Sequence, residues 1–414
     1  MSDKIEPKMK IVAFAYACIP ERGSEPGAGW MWARMLGRLG ETWVITRKDY
    51  QEAIERALPN TPERDNLRFV YVELSPRWRK WQKDLRGLRT YYVLWQIAAL
   101  RKARKLHKEI DFDLSWHLTW ANIWMGALGA LTGPTFILGP VGGCVGAVWR
   151  LVPHLGVKGA GYEVVRAIGS TYGRYVNPFA RLAWRRADLI LAQNNETKQW
   201  LPRAHRDKVR VFPNAAVEAL VIPGTKKSGR PPTLVYVGRL WASKGAYLVV
   251  RSLAHLEGWK LLICGSGPDE KNLRKLARRL GVDERIEWLG WQPQVEVFRV
   301  MKEEADLLML PSMHEEAGFV VIEAVAAGLP VVGLDRGGVP LLAGTSGRMV
   351  SARGGARAIA VRLAEAARAA FESKITPATG PLPFSLDMRA KALEALIHSE
   401  LGTSPAITRE VLTS

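Results

Sequence analysis

Two carboxylates bracket a glycine in the segment SMHEEAGFVVIEAVAAGLPVV, which otherwise has the composition of a buried core. Glu315 follows a run, ADLLMLPS, that is typical of a buried strand, and Glu323 lies in a predicted helix that begins after Gly318. The first backbone N–H groups of that helix, at Phe319 and Val320, have no partner within it and form a site for phosphate oxygens. The pattern therefore indicates an anion site flanked by two carboxylates. Two solvated glutamates, favoured by the helix dipole, are the alternative.

Two cations follow another candidate strand in the segment LVYVGRLWASKGAYLVV. The strand ends at Gly238, Arg239 comes next, and Lys244 precedes a glycine and a new helix. Cations placed just past a strand suit the phosphates of a diphosphate ligand, where they can stabilise negative charge that develops on it. An exposed basic loop without a ligand is the alternative.

Glycine-rich turns follow two further candidate strands. Gly265 and Gly267 stand in LLICGSGPDEKNL, between a strand and the start of a helix. The third glycine of a dinucleotide fingerprint is missing there, so a nicotinamide site is not indicated. Gly27 and Gly29 stand in CIPERGSEPGAGWMW, where we expect a turn that lets a ligand approach the backbone. A turn with no ligand is the alternative.

The formal net charge of the 414-residue chain is +19, and the charge is unevenly distributed. Residues 77–108 hold eleven basic residues and one acidic residue, a net of +10, so we expect a negatively charged partner there. Aromatic and aliphatic residues recur in this segment at steps of three and four. That stripe suits an anionic membrane surface before Gly87 and packing on the first sheet after Tyr91. No helix-turn-helix, zinc or aromatic RNA-binding motif accompanies the charge, so nucleic acid is not expected.

The elements that must position these residues are short apolar runs alternating with helix-period segments, which predict a parallel α/β architecture. Six candidate strands occur before about residue 200 and six after residue 231. We therefore predict two doubly wound, Rossmann-like domains that face each other across a cleft, residues 1–205 and 206–385. The last segment, 386–414, is a predicted helix that crosses back to the first domain.

Three cysteines without metal-ligand spacing, Cys18, Cys144 and Cys264, fit a reducing cytosol. The uncharged stretch from Leu118 to Trp149 contains prolines and glycines that indicate a buried strand and its turn rather than a membrane span. We expect a cytoplasmic protein, peripheral on the inner face of the plasma membrane if the basic segment docks there.

The run EEAGFVVIEA followed by AAGLPVV resembles the paired-glutamate signature of the retaining glycosyltransferases of family 4, which have the GT-B fold. The Gly-Arg-Leu and Lys-Gly pattern of residues 238–245 is shared with the same family. The resemblance spans most of the chain and is strongest from about Val235 to Pro340. It implies transfer of a sugar from a nucleoside-diphosphate donor to an acceptor hydroxyl, with retention at the anomeric carbon and without a metal.

The resemblance also implies a role for each residue around the donor. Glu323 would hold the ribose hydroxyls, and Glu315 would contact the sugar and stabilise its developing positive charge. Arg239, Lys244 and the amides after Gly318 would hold the diphosphate. The C-terminal domain would therefore bind the nucleotide-sugar and the N-terminal domain the acceptor.

Further residues take their expected places from the same family. Gly238 and Gly265 would border the nucleotide, while Gly27 and Gly29 would border the cleft between the diphosphate and the acceptor. His117, near the end of the candidate strand DLSWHLT, would lie close to the donor sugar. A histidine satisfied within the core is the alternative.

Asp111 and Asp113 have the Asp-x-Asp spacing of metal-dependent transferases. They precede a candidate strand at its amino end, away from the expected cleft, so we assign them no metal. The basic aromatic segment favours a lipid-linked or membrane-bound saccharide as the acceptor. A soluble small-molecule acceptor and a GT-B-type sugar-nucleotide epimerase stay open, as do the base and the sugar of the donor.

Overall fold

The computed structural model describes residues 8–20, 24–75, 87–120, 122–216, 226, 229–373 and 384–402. Within these ranges the first sheet has seven strands: β1 (Met9–Phe14), β2 (Gly40–Arg47), β3 (Leu67–Val72), β4 (Leu114–His117), β5 (Thr135–Val141), β6 (Leu189–Ala192) and β7 (Val209–Val211). Their order is β3-β2-β1-β4-β5-β6-β7, and every neighbouring pair is parallel.

The α-helices described in the first domain connect these strands. They are α1 (Ser24–Leu39), α2 (Gln51–Ala57), α3 (Leu88–Ile110), α4 (Gly156–Tyr175), α5 (Pro178–Arg186) and α6 (Asn195–Trp200). Because helices cover both faces of the sheet, strands such as β4 and β6 are buried along their whole length.

The second sheet has six described strands: β8 (Thr233–Val237), β9 (Lys260–Cys264), β10 (Ile286–Gly290), β11 (Leu307–Leu310), β12 (Val331–Leu334) and β13 (Gly347–Val350). Their order is β10-β9-β8-β11-β12-β13, again parallel throughout. The helices are α7 (Ala246–Leu253), α8 (Glu270–Leu280), α9 (Gln294–Glu303), α10 (Phe319–Ala326), α11 (Val339–Ala343) and α12 (Ala356–Glu372), followed by α13 (Leu386–Leu401).

Each sheet begins at an internal strand and then extends outward in both directions. The order reverses between β1 and β4 in the first sheet and between β8 and β11 in the second. Ligands of open α/β sheets bind at such switch points, beyond the carboxyl ends of the strands. The prediction of two doubly wound α/β domains is confirmed.

The first domain continues further along the chain than residue 205. β7 pairs with β6 through residues Val209–Val211, so the predicted boundary falls before the last strand of the first sheet. This strand is the three-residue stretch Val-Arg-Val in a segment rich in proline and basic residues, and its alternation is too short to predict a strand.

The final helix, α13, packs on α1 of the first domain. Its buried residues Leu386, Leu393 and Ile397 share one apolar cluster with Trp32 and Leu36 of α1. The chain therefore returns to its first domain after completing the second sheet.

The helix α3 packs on the first sheet by the stripe expected after Tyr91. Tyr92, Trp95, Ala99 and Ala103 are fully buried in one apolar cluster with β1. These apolar residues of the 77–108 segment are therefore core and do not face a membrane, whereas residues 76–86 lie outside the described ranges. In the part of the chain that the structure describes, no helix has the length and apolar character needed to cross a membrane.

Candidate active site

The loops that carry the predicted cations and carboxylates leave the second sheet at its switch point. Met313, after β11, donates its backbone N–H to the carbonyl of Ser243, after β8, at 2.9 Å. Gly245 has a φ of 78°, and a Cβ there would lie 2.1 Å from the carbonyl oxygen of Pro311. Only glycine permits this approach of the two loops.

This approach places Lys244 beside Glu315. The Nζ atom of Lys244 lies 2.8 Å from Oε2 of Glu315, and both side chains are mostly buried. A cation and a carboxylate are thus held together between neighbouring strands. The cation can neutralise a phosphate oxygen, and the carboxylate can stabilise positive charge on a sugar.

Arg239 lies in the same loop, directly after Gly238, and is exposed. Its guanidinium group lies 5.5 Å from the centre of the Trp241 ring. Within the described ranges no carboxylate forms an ion pair with Arg239. Its charge is therefore available to an anionic ligand.

Gly238 and Gly265 join the loops after β8 and β9. The N–H of Gly238 donates to the carbonyl of Cys264 at 3.0 Å, and a Cβ on Gly265 would lie 1.9 Å from the carbonyl oxygen of Gly238. Both positions are thus explained by the contact between the two loops. Their contact with a nucleotide stays a prediction.

The helix α10 begins at Phe319, after Gly318 in the left-handed conformation with φ 58° and ψ 57°. This glycine turns the chain from the strand end into the helix. The amides of Phe319 and Val320 lie in the first turn, where no carbonyl of the preceding turn can accept their hydrogens. They form the expected anion-binding end next to Glu315.

Glu323 lies further along α10. Its Oε1 atom accepts a hydrogen bond from Nε2 of Gln294, the first residue of α9, at 2.7 Å. Burial raises the pKa of Glu323, and the hydrogen bond from Gln294 opposes that rise. The carboxylate is thus held beside the helix that follows β10, and its contact with a ribose stays a prediction.

A pair of glycines that the sequence analysis missed packs against the loop that carries Glu315. Gly337 has a φ of 66°, and a Cβ there would lie 2.1 Å from the carbonyl oxygen of Glu315. Gly338 donates its N–H to that same carbonyl at 2.8 Å. The consecutive glycines of DRGGVP, between β12 and α11, are the signal by which this support could have been found.

Glu316, the neighbour of Glu315, was also missed and joins the two domains. Its Oε2 accepts from Nδ2 of Asn194 at 2.7 Å, and its Oε1 accepts from the backbone N–H of Val145 at 3.3 Å. Burial raises the pKa of Glu316, and the donors from the first domain oppose that rise. The N–H of Gly337 similarly donates to Glu196 across the cleft at 2.6 Å.

His314 forms a second link between the domains. Its Nε2 lies 2.9 Å from Oε1 of Glu163, and its Nδ1 lies 3.0 Å from NH1 of Arg166, both on α4. The same Nδ1 also lies 2.9 Å from the carbonyl oxygen of Val145, so all three polar contacts of the ring are to the first domain. Burial, with the charge of Arg166, lowers the pKa of His314 to about 3, so the imidazole is neutral.

These contacts define a site between the two domains. The second domain also resembles a known protein family. Residues 221–366 match the family model for glycosyl transferases group 1. The matched segment contains the loop of Arg239 and Lys244 and the helix start after Gly318.

Relatives and solved structures are consistent with this match. The chain is 35% identical over 159 residues to the D-inositol 3-phosphate glycosyltransferase of Corynebacterium efficiens, covering 33% of this chain and 37% of that protein. It is 36% identical over 101 residues to the lipopolysaccharide core biosynthesis glycosyltransferase LpsE of Rhizobium meliloti, covering 24% and 29%. The chain thus spans about a third of the length of these curated relatives.

The fold extends beyond the matched segment. HepE of Anabaena, solved in complex with UDP-glucose, superimposes with a TM-score of 0.57 at 16% identity, covering 94% of this chain and all of that one. At this identity the likeness shows the fold alone. The chain has the GT-B arrangement of two Rossmann-like domains, and the segment that matches the family model lies in the second.

His117 ends β4 at the switch point of the first domain but is buried. Its Nε2 lies 2.8 Å from the hydroxyl of Tyr92, and its Nδ1 is buried without a hydrogen-bond partner. Burial lowers the pKa of His117 to about 4, so the ring is neutral. The structure thus brings His117 to the correct edge of its sheet and covers it, and its contact with a donor sugar stays a prediction.

Gly27 and Gly29 differ from the turn that the sequence predicts, because both are buried within α1. Ser24 and Pro26 at the start of the helix favour its earlier beginning. A Cβ on Gly29 would lie 1.9 Å from the carbonyl oxygen of Ala17 and 2.9 Å from Cγ2 of Thr119. Gly29 therefore lets α1 pack on the chain that follows β1, and its close approach is to protein backbone.

Asp111 and Asp113 lie at the amino end of β4, as expected. Asp111 ends α3 in the left-handed conformation, and Oδ2 of Asp113 accepts the backbone N–H of Lys10 at 2.7 Å. Among the described residues, no group of three or more His, Cys, Asp or Glu side chains is arranged to hold a metal ion.

Proposed function

We propose that the chain is a retaining, metal-independent glycosyltransferase of family 4, which moves a sugar from a nucleoside-diphosphate donor to an acceptor hydroxyl. The observation that carries the proposal is the Lys244–Glu315 pair between β8 and β11, with Arg239 and the start of α10 beside it. One carboxylate, two cations and free amides are the groups that a sugar diphosphate requires. The match of residues 221–366 to glycosyl transferases supports it.

In the proposed reaction the bond between the anomeric carbon and the donor phosphate oxygen breaks, and a bond to the acceptor oxygen forms on the same face. The acceptor proton passes to the departing phosphate oxygen. Arg239, Lys244 and the amides of α10 stabilise the charge that grows on the diphosphate. Glu315 stabilises the positive charge on the sugar, and Glu323 holds the ribose at the other end of the donor.

For the acceptor, we propose a lipid-linked or membrane-associated saccharide in the biosynthesis of a glycoconjugate or polysaccharide. The relative from Rhizobium meliloti is named for lipopolysaccharide core biosynthesis, which supports this class. A soluble acceptor is the second candidate, because the relative from Corynebacterium efficiens is named for D-inositol 3-phosphate. A transfer assay distinguishes the two classes when extracted lipids are offered as acceptors in one set of reactions and small polyols or sugars in the other.

The donor is tested first, by thermal shift with UDP-, GDP- and ADP-sugars in the presence of EDTA. A ligand at a hundred times its dissociation constant adds about 2.7 kcal/mol of stability, so the correct base should raise the melting temperature by several degrees. If neither the nucleotide sugars nor the free nucleoside diphosphates raise the melting temperature, the proposed donor site is contradicted.

Retention is tested on the product. With an α-linked donor, the NMR coupling of the anomeric proton should show an α-linked product. A β-linked product would exclude the retaining mechanism while leaving the donor site intact. Epimerised or hydrolysed donor without any transfer would favour the epimerase.

A further inference from the structure

The helix α4 carries an apolar face that the described protein does not cover. Six of its residues follow one another at steps of seven, one, three and four, which places them on one side of the helix. Their exposed fractions lie between 47% and 92%: Val157, Val164, Val165, Ile168, Tyr172 and Tyr175. A surface helix of a soluble protein normally turns such a face toward the core.

The opposite face of α4 is polar or small and packs on the protein. Glu163 and Arg166 contact His314 of the second domain, and Ser170 accepts from Nε1 of Trp200 at 3.0 Å. At Gly173 a Cβ would lie 2.2 Å from Cβ of Trp124. These contacts fix the rotation of the helix, so its apolar side cannot turn inward.

The exposed apolar face continues past the end of α4. Val176 and Phe179, next in the chain, are each 58% exposed, and Trp149 before the helix is 57% exposed. The patch therefore combines aliphatic side chains with tyrosine, phenylalanine and tryptophan, the aromatic types that settle at the boundary between lipid chains and headgroups.

The segment that carries this patch is strongly basic. Between Trp149 and Ala187 the only acidic residue is Glu163, which is 2% exposed and faces His314. The exposed basic residues are Arg150, Lys158, Arg181, Arg185 and Arg186. An apolar face in so basic a segment is complementary to a surface with an apolar interior and anionic headgroups.

We propose that the outer face of α4, with the start of α5, docks on an anionic phospholipid bilayer. The aromatic and aliphatic side chains enter at headgroup depth, and the arginines and Lys158 pair with lipid phosphates. A second copy of the chain fits less well, because a two-fold contact through this patch would bring like charges together.

Docking at α4 would bring the lipid surface to the cleft, since its inner face holds His314 and the next residue is Glu315. This step rests on the proposed function, and it identifies the acceptor as a saccharide that is anchored in the bilayer. Membrane contact of the 77–86 segment stays a prediction of its own.

The experiment is cosedimentation of the full chain with vesicles of phosphatidylglycerol and phosphatidylcholine, and with vesicles of phosphatidylcholine alone. The wild type should bind the anionic vesicles, and binding should fall steeply with salt. Ile168→Ser with Tyr172→Ser should weaken the binding at least tenfold, while Val295→Ser with Met388→Ser, exposed apolar positions elsewhere, should leave it unchanged. Replacing Arg181, Arg185 and Arg186 together by alanine should weaken vesicle binding on the order of a hundredfold, about fivefold for each arginine.

Alanine at Lys271, Lys275 and Arg278, three exposed cations of α8, is the matched charge control. Hydrogen exchange on the wild type needs no variant: anionic vesicles should protect the amides of residues 157–179. Bound protein without protection there, or variants that bind as the wild type does, would overturn the proposal. A wild-type dimer that the Ile168 and Tyr172 changes dissociate would also overturn it. Donor binding without vesicles tests the proposed function separately.

Discussion

The ammonium group of Lys244 lies 2.8 Å from a carboxylate oxygen of Glu315, although 71 residues separate the two along the chain. Neighbouring strands β8 and β11 bring them together at the switch point of the second sheet. Without a donor the two charges neutralise each other. A diphosphate would compete for the ammonium group and leave the carboxylate facing the sugar, so the pair links donor binding to the stabilisation of sugar charge.

Replacing Glu315 should abolish transfer without unfolding the protein. Glu315→Ala removes the carboxylate that stabilises sugar charge, and the loss of one preorganised electrostatic group typically costs a hundred- to a thousandfold in turnover. Steady-state kinetics and the melting temperature should be measured together. Glu257→Ala removes an exposed carboxylate of the same domain and serves as the control. Unchanged turnover in Glu315→Ala would remove this residue from the mechanism.

The two cations should act on the diphosphate. Arg239→Ala and Lys244→Ala should each weaken donor binding and slow bond cleavage, because charge on the leaving group grows in the transition state. The dissociation constant of the donor and kcat should both change, whereas Lys260→Ala, at an exposed position of β9, should change neither. Wild-type donor affinity in both variants would mean that neither cation touches the phosphates.

Removal of divalent metal should leave transfer unchanged. Two cations and the amides of α10 are expected to hold the diphosphate by themselves. The measurement is the transfer rate before and after dialysis against EDTA, with added Mg²⁺ or Mn²⁺ as the comparison. A strict requirement for either metal would reopen the assignment of Asp111 and Asp113.

Gly318 should tolerate alanine poorly for two separable reasons. Its φ of 58° costs a residue with a side chain about 1–2 kcal/mol, and a Cβ there would lie 3.2 Å from Cγ of Glu315. Gly281→Ala is a matched control, since Gly281 has a φ of 67° and open space around its Cβ. Both variants should lose similar stability, but only Gly318→Ala should also lose donor affinity. Equal donor affinity in the two would show that the helix start does not hold the ligand.

The stability of the fold should fall as the pH is lowered from about 6.5. Burial lowers the pKa of His314 to about 3 and that of His117 to about 4, so both stay neutral when folded and bind protons when unfolded. The unfolded state then holds more protons, and each histidine can remove up to about 1.4 kcal/mol per pH unit. Unfolding in urea at pH 7, 6 and 5 measures the slope.

His314→Gln isolates one contribution to that slope. Burial raises the pKa of Glu163 and Glu316, and such carboxyls add stability that is lost as the pH rises, which opposes the histidines. Comparing the variant with the wild type cancels most of this opposing effect. The variant should have a smaller slope, and an identical slope would show that His314 is not held neutral.

The strands were predictable because buried parallel strands are continuous apolar runs, and the loops after β8 and β11 were predictable because their cations and carboxylates follow such runs directly. Contacts across the cleft were not. Glu316 resembles any solvated glutamate until Asn194 and Val145 are seen beside it. The spacing of apolar residues along α4 likewise shows that the helix has an apolar face, but not whether that face packs on the core. The rotation of the helix depends on what Glu163 and Arg166 contact in the other domain.

The return of α13 to the first domain has a mechanical consequence. Among its described elements the chain passes from one domain to the other twice, once between β7 and β8 and once between α12 and α13. Two domains joined by one connection can rotate about any axis through it. Two domains joined by two connections rotate readily only about the line through both. Opening of the cleft should therefore follow a single hinge axis, and the contacts that Glu316, His314 and Gly337 make with the first domain must break before the hinge can turn.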